Sequence, residues 1–167
     1  MTKGTSGKGP IDARLTELGI VLPQPAAPAG AYVPFVRVGD LLFVSGQLPL
    51  LNGEMHFAGR LGAELAVEHG YAAARLCALN LLAQVRAACD GDLERVSRVV
   101  KLTGFVRADA AFTDHPKVLN GASDLMMEVF GEVGRHTRAA VGAASLPLNA
   151  SVEVDGVFEL EYPPVSR

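Results

Sequence analysis

Apolar and acidic residues alternate at every second position near the end of the chain. The apolar set is Val152, Val154, Phe158, Leu160 and Tyr162, and the acidic set is Glu153, Asp155, Glu159 and Glu161. Strict period-two alternation is typical of a strand that buries one face and turns the other towards water or a partner. The chain is therefore expected to build a sheet with one buried face and one semi-polar face.

Two helical patterns and several further strands precede this last strand. Helices are predicted over residues 64–89 and about 115–131, and strands over residues 99–107 and 137–144. Gly39-Asp40 lies between two β-rich runs within residues 35–45, which is a two-residue hairpin signal. Residues 52–62 are expected to form an irregular loop. The order hairpin, helix, strand, helix, strand, strand predicts an α+β fold, a mixed sheet with two helices packed on one face.

The first of these helices carries a clear apolar stripe. The stripe consists of Tyr71, Ala74, Ala78, Leu81, Val85 and Ala88. Apolar residues at this spacing share the face that packs on the core. Arg75, Gln84 and Arg86 lie off the stripe.

The length of 167 residues fits one domain. The polar, glycine-rich start predicts a flexible tail, and a short helix is expected over residues 11–18, ended by Gly19. Residues 22–30 contain too many prolines for a helix or a central strand, so they form a connector. We therefore divide the chain into a tail with a short helix at residues 1–21 and a single α+β domain at residues 22–167.

Charge and cysteine content exclude several classes of protein. The formal net charge is −3 and no basic stripe is present, which argues against a nucleic-acid partner. The apolar stretches are too short for a membrane span. Cys77 and Cys89 fall in one predicted helix at a separation of roughly 18 Å, too far to form a disulfide. A reduced, cytoplasmic protein is the simplest interpretation.

Motifs for the common catalytic chemistries are missing. The sequence has neither a glycine-rich phosphate loop nor a Gly-x-Ser-x-Gly elbow. The histidines at positions 56, 69, 115 and 136 match no metal-ligand spacing. We expect no metal and no cofactor, so any chemistry must rest on Arg, Glu, Tyr, Ser, Asn and backbone groups.

Two segments resemble signatures of the Rid (YjgF-type) family of reactive intermediate deaminases. One is Pro28-Ala-Gly-Ala-Tyr32 followed by Gly39-Asp-Leu-Leu-Phe-Val-Ser-Gly-Gln-Leu-Pro49. The other is Arg138-Ala-Ala-Val-Gly-Ala-Ala-Ser-Leu-Pro147 followed by Val152-Glu-Val-Asp155. Asn120 stands where the family has an Asn on its second helix. The resemblance covers residues 27–162 with consistent spacing.

This resemblance implies a homotrimer of chorismate-mutase-like subunits with clefts between neighbours. Family enzymes hydrolyse carboxylate-bearing enamines and imines, such as 2-aminoacrylate, to 2-keto acids and ammonia. The catalytic residues implied here are Arg138 and Glu153. The implied substrate-binding residues are Tyr32, Ser45, Gly46, Asn120 and Ala140.

Each candidate also has a purely structural interpretation. The guanidinium of Arg138 offers a planar fork for a carboxylate, or it pairs with an acid of the last strand. Glu153 steers a water molecule towards an imine carbon, or it is one more solvated acid. The side chains of Tyr32, Ser45 and Asn120 contact substrate, or they belong to a core edge, a turn and a solvated helix face. His136 is expected at the surface or an interface, with acid–base use as the alternative.

Two positions depart from the family pattern. Ala140 and Gly142 stand where the deaminases usually have Cys and Glu. The pocket wall is therefore altered, which leaves a non-catalytic trimer that binds a keto acid or related metabolite as the alternative function. An endoribonuclease, a third possibility, is disfavoured by the acidic balance.

Overall fold

A five-stranded sheet forms one layer of the molecule, and two long helices cover one of its faces. The computed structural model describes residues 9–27 and 30–161. The helices are α1 (Pro10–Glu17), α2 (Val67–Ala88) and α3 (His115–Phe130), and the strands are β1 (Phe35–Val38), β2 (Leu41–Gln47), β3 (Leu50–Leu51), β4 (Glu54–Met55), β5 (Val96–Arg107), β6 (Thr137–Ala143) and β7 (Val152–Leu160). The predicted hairpin, both long helices and the three later strands are confirmed. The prediction of an irregular loop over residues 52–62 is wrong in part, because β4 lies there and pairs with β3.

The strand order in the main sheet is β1-β2-β7-β5-β6. All neighbouring pairs are antiparallel except β5 and β6, which run parallel. The sheet is therefore mixed, as predicted. β6 forms one edge, and its parallel register sets Arg138 beside Leu102 of β5.

Alternation decides which side chains face the helices. Val152, Val154, Phe158 and Leu160 of β7 are buried, while Glu153, Asp155 and Glu159 on the other face are partly exposed. This confirms the alternation through Leu160, and Tyr162 lies outside the described residues, as do Pro28 and the predicted flexible tail. Residues paired across strands point to the same side, so Phe43 and Phe105 share the uncovered face with Glu153. We call it the open face.

The two long helices pack closely on each other and on the sheet. A Cβ added to Gly121 of α3 would collide with the carbonyl oxygen of Tyr71 of α2, so only glycine permits this approach. The apolar stripe of α2 is confirmed, since Ala74, Ala78 and Leu81 are fully buried.

Gln84 is buried although it lies off the apolar stripe of α2. Its side chain is only 2% exposed and donates a hydrogen bond to the carbonyl of Ala26 at 2.8 Å. The connector crosses this side of α2, which a helical periodicity cannot reveal.

The short first helix is present and docks on the domain. Leu15 is buried, and Arg14 Nε donates to the Glu128 carbonyl of α3 at 2.8 Å. Asp12 pairs with Arg86 of α2. α1 is therefore part of the packed structure.

Both cysteines are buried free thiols, as the spacing predicted. The Cys77 thiol lies 3.6 Å from the Val152 carbonyl, which ties α2 to β7. Within residues 9–27 and 30–161, no helix is both long and apolar enough to cross a bilayer.

Candidate functional site

Arg138 lies on the edge strand β6 and points towards α3. Its register partner Leu102 is fully buried under the helices, so both side chains leave the sheet on that face. Arg138 Nη1 donates to Asn120 Oδ1 at 2.8 Å and to Ser123 Oγ at 3.0 Å. Nη2 donates to the carbonyl of Pro116 at 3.3 Å. One helix therefore supplies all three acceptors.

These contacts hold the guanidinium without neutralising its charge. An amide, a hydroxyl and a carbonyl are all uncharged, and no acid among the described residues forms an ion pair with Arg138. The interpretation of Arg138 as a partner of an acid on the last strand is therefore not supported. Three contacts cannot occupy all five N–H donors of a guanidinium, so at least two donors remain for a ligand. The planar fork of a guanidinium can bind a carboxylate with two parallel hydrogen bonds.

A second layer of polar side chains stands behind Arg138. Ser123, 8% exposed, places Oγ 3.0 Å from Nε2 of His136, and His136 Nδ1 lies 2.7 Å from the Gly134 carbonyl. Burial and the nearby charge of Arg138 lower the pKa of His136, while the hydrogen bond to Gly134 raises it. His136 is half-buried against α3, and its imidazole is held within the subunit by Ser123 and Gly134.

Sequence reasoning missed Ser123. The sequence contained one indication of its role. Ser123 follows Asn120 by three residues, and residues at this spacing lie on the same helix face. We call Asn120, Ser123, His136 and Arg138 the arginine half-site.

The second group of predicted residues lies around the end of β2. Tyr32 and Gly46 line a small cavity of about 100 Å³ together with Gln47 and Leu148. The register between β2 and β7 shifts between Val44 and Gln47, which marks a bulge at this point. Bulges redirect side chains and often stand next to functional sites.

Glu153 packs directly against the bulge. A Cβ added to Gly46 would collide with Glu153 Oε1, so the absence of a side chain at Gly46 makes room for the carboxylate. Burial, and secondarily the charge of Asp155, raise the pKa of Glu153. A carboxyl group with a raised pKa is better matched to proton transfer near neutral pH than a fully solvated acid. We call Tyr32, Gly46 and Glu153 the carboxylate half-site.

Ser45 lies on β2 and contacts the segment that precedes β1. Its hydroxyl donates to the Val33 carbonyl at 2.9 Å, so its only proton is used within the subunit. Tyr32 is 52% exposed at the side of the small cavity.

The two positions that depart from the family pattern follow Arg138 on the same side of β6. Ala140 is partly buried and packs on the core. Gly142 lies under the imidazole of His115, and a Cβ there would be 3.0 Å from Nε2. The space that a longer side chain would need at position 142 is therefore restricted by His115.

The two half-sites do not meet within one chain. Glu153 pairs in register with Phe105 on the open face, whereas Arg138 faces α3 on the other side of the sheet. The structure brings Arg138 and Asn120 together, and separately Tyr32, Gly46 and Glu153.

Comparison with known proteins assigns this arrangement to a family. The profile described as "YjgF/chorismate_mutase-like, putative endoribonuclease" matches residues 12–160, nearly the whole described chain. The chain belongs to the YjgF/Rid family. The resemblance deduced from the Tyr32 and Arg138 segments is thereby confirmed, as is the chorismate-mutase-like fold.

Two similar proteins and one solved structure are informative. Protein TCP17 of Trypanosoma cruzi is 54% identical, over 91% of this chain and 95% of its own length. The crystal structure of Atu1372 from Agrobacterium tumefaciens is 51% identical, with a TM-score of 0.85 over 90% of this chain and 92% of that one. A protein of Dermatophagoides farinae named 2-iminobutanoate/2-iminopropanoate deaminase is 28% identical, over 85% of this chain and 95% of its own length. The YjgF/Rid family thus includes a named imine deaminase among the relatives of this chain.

Proposed function

We propose that this protein hydrolyses small carboxylate-bearing enamine and imine intermediates of the 2-aminoacrylate type to a 2-keto acid and ammonia. The observation that carries the proposal is the guanidinium of Arg138, held by three uncharged acceptors with at least two N–H donors left over. The deaminase name of the Dermatophagoides farinae relative supports the same class of reaction.

The chemistry needs positioning and one proton-transfer group. Arg138 binds the carboxylate of the imine, which leaves the adjacent imine carbon facing the cleft. Glu153 accepts a proton as a water oxygen bonds to that carbon, and the imine nitrogen takes up a proton from solvent to become an amine. Glu153 then returns its proton to the amine, and the hydroxyl of the carbinolamine loses its proton to solvent. The carbon–nitrogen bond breaks and releases ammonia and the keto acid. Orientation and charge complementarity supply most of the required acceleration for such a reaction.

The two half-sites lie on opposite faces of the sheet, so an active site that contains both must form between two subunits. We propose a homotrimer in which Arg138 of one subunit meets Glu153 of a neighbour in a cleft between them. The open face supports this, since Val36, Val38 and Phe43 are 50%, 62% and 44% exposed and adjacent in register. Exposed apolar patches of this kind mark protein interfaces.

The net charge and the cysteines bear on RNA cleavage and on cellular location. The formal net charge of −3 gives no support to cleavage of RNA, in spite of the endoribonuclease in the family description. We also propose a cytoplasmic location, because both cysteines are free thiols.

The test is ammonia or keto-acid release from 2-aminoacrylate generated in situ by a dehydratase. We expect acceleration by the wild type and a loss of about 100-fold or more for Arg138→Ala, since a charged bidentate contact is removed. Arg135→Ala is the matched control, because Arg135 is an exposed arginine three residues away that pairs with Glu132. Equal rates for Arg138→Ala and the wild type would refute the mechanism.

A binding module is the second candidate, favoured by the fact that the arginine half-site is complete without Glu153. In that case a keto acid raises the melting temperature of the wild type, but not of Arg138→Ala, and no imine is consumed. This outcome would replace the hydrolase with a metabolite sensor.

A further inference from the structure

We propose that Ser123 and His136 are positioning residues that hold the guanidinium of Arg138 in the orientation that receives a substrate carboxylate. This inference rests on the proposed function of Arg138 as the carboxylate-binding group. Neither residue belongs to the motifs from which the family resemblance was drawn.

The hydrogen bonds leave a single consistent assignment of protons. A carbonyl only accepts, so His136 Nδ1 must carry the proton that it shares with Gly134 at 2.7 Å. In the neutral ring Nε2 is then an acceptor, and the Ser123 hydroxyl must donate to it across 3.0 Å. The Ser123 oxygen is left with lone pairs, and Arg138 Nη1 donates to one of them at 3.0 Å. Each donor therefore faces an acceptor from Gly134 to Arg138.

Both ends of this chain of bonds are anchored on α3. Ser123 belongs to that helix and is nearly buried. Gly134 is buried against the helix, since a Cβ there would collide with the carbonyl oxygen of Met126. His136 is thus fixed from both sides, and it in turn fixes the direction of the Ser123 hydroxyl.

Burial makes Ser123 the more persistent of the two side-chain acceptors for Arg138. Asn120 is exposed, so water competes for its amide oxygen, whereas Ser123 is shielded and its hydrogen bonds are stronger. Without His136 the hydroxyl of Ser123 would be free to turn and present its hydrogen towards the cation. The role of His136 is therefore indirect and acts through Ser123.

The test compares two replacements of the same imidazole. In His136→Gln the side-chain amide can stand where Nε2 stands and accept from Ser123. In His136→Asn the shorter amide can reach only towards Gly134. We expect Ser123→Ala and His136→Asn to weaken pyruvate binding and to raise KM for the imine about tenfold, with kcat changed less than about twofold, as for loss of one hydrogen bond to a charged group. His136→Gln should remain close to wild type.

The outcomes separate this inference from the proposed function. Pyruvate binding is measured by calorimetry and imine turnover in the dehydratase-coupled assay, with melting temperatures to confirm that each variant is folded. Weakened pyruvate binding in Ser123→Ala and His136→Asn without any wild-type turnover would support the positioning role and refute the hydrolase. Wild-type behaviour of both variants, or equal impairment of His136→Gln and His136→Asn, would overturn the positioning role alone. A wild type that neither binds pyruvate nor hydrolyses imine would overturn both.

Discussion

Arg138 and Glu153 leave the same sheet from opposite faces, one on the edge strand β6 towards α3 and the other on β7 towards the open face. The register shows this directly, because Arg138 is beside the buried Leu102 while Glu153 is beside Phe105, three positions further along β5. An active site that uses both residues must therefore combine two subunits.

Mixing two inactive variants should restore activity. We expect Arg138→Ala and Glu153→Gln each to lose most turnover. In randomly mixed, refolded trimers about one cleft in four has an intact Arg138 from one subunit and an intact Glu153 from its neighbour. The measurement is imine hydrolysis of the mixture against each variant alone. Recovery to about a quarter of the wild-type rate is expected, and a mixture no better than its components would contradict a shared cleft.

The open face should control assembly. Phe43 is 44% exposed and pairs in register with Val36 and Val157. A Phe43→Lys replacement puts a charge where a neighbour is expected to bury apolar surface, which costs several kcal/mol unless the charge is paired. By light scattering, the wild type should have three times the chain mass and the variant should fall towards one. Met127→Lys, at an equally exposed apolar residue on α3, is the control. A monomeric wild type would disprove the trimer.

Gly46 should matter for activity more than for stability. In Gly46→Ala the new methyl group displaces the end of the flexible Glu153 side chain, so we expect turnover to fall about tenfold or more with a small change in melting temperature. Because the effect acts through Glu153, the double variant with Glu153→Gln should lose little beyond Glu153→Gln alone. Additive losses would show that Gly46 acts independently.

The raised pKa of Glu153 predicts a pH-dependent stability difference. Burial and the neighbouring Asp155 raise the pKa above the ordinary value of 4.5, so the folded state binds this proton more tightly than the unfolded state. As the pH rises from below the ordinary value through the raised pKa, the wild type loses stability that Glu153→Gln does not lose. The melting temperature of the variant relative to wild type should therefore be higher at about pH 7.5 than at about pH 4. Glu161→Gln, at an exposed acid, is the control. If the melting-temperature difference between Glu153→Gln and the wild type were the same at both pH values, burial of the Glu153 charge would be contradicted.

Close packing of α2 and α3 makes Gly121 sensitive to substitution. In Gly121→Ala the methyl group meets the backbone of Tyr71, which cannot move aside as a side-chain end can. We expect a loss of about 3 kcal/mol, at the upper end for overpacking. Thermal denaturation should show a fall of roughly 6–12 °C for a chain of this size. Lys117→Ala, at an exposed position of the same helix, serves as the control, and an unchanged melting temperature for Gly121→Ala would contradict the contact.

Local rules account for what could be predicted from the sequence. The Gly39-Asp40 turn, the alternation along β7 and the stripe of α2 each depend on residues within one element, where spacing alone decides which side chains share a face. The ordered motifs around Tyr32 and Arg138 identified the family and the carboxylate-binding arginine for the same reason, since each motif is a short contiguous segment.

Only the tertiary structure could decide which elements meet. Gln84 is buried because a connector more than 50 residues earlier in the chain crosses α2. Ser123 contacts Arg138, and His136 contacts Ser123, because α3 packs beside β6. The spacing of residues within one element cannot reveal a contact between two elements. The separation of Arg138 from Glu153 follows from the register of β6 and β7 on the two sides of β5. Long-range pairing sets such relationships through packing of the whole core. Local spacing was enough to predict the long helices and strands, most of their buried faces and most of the candidate residues.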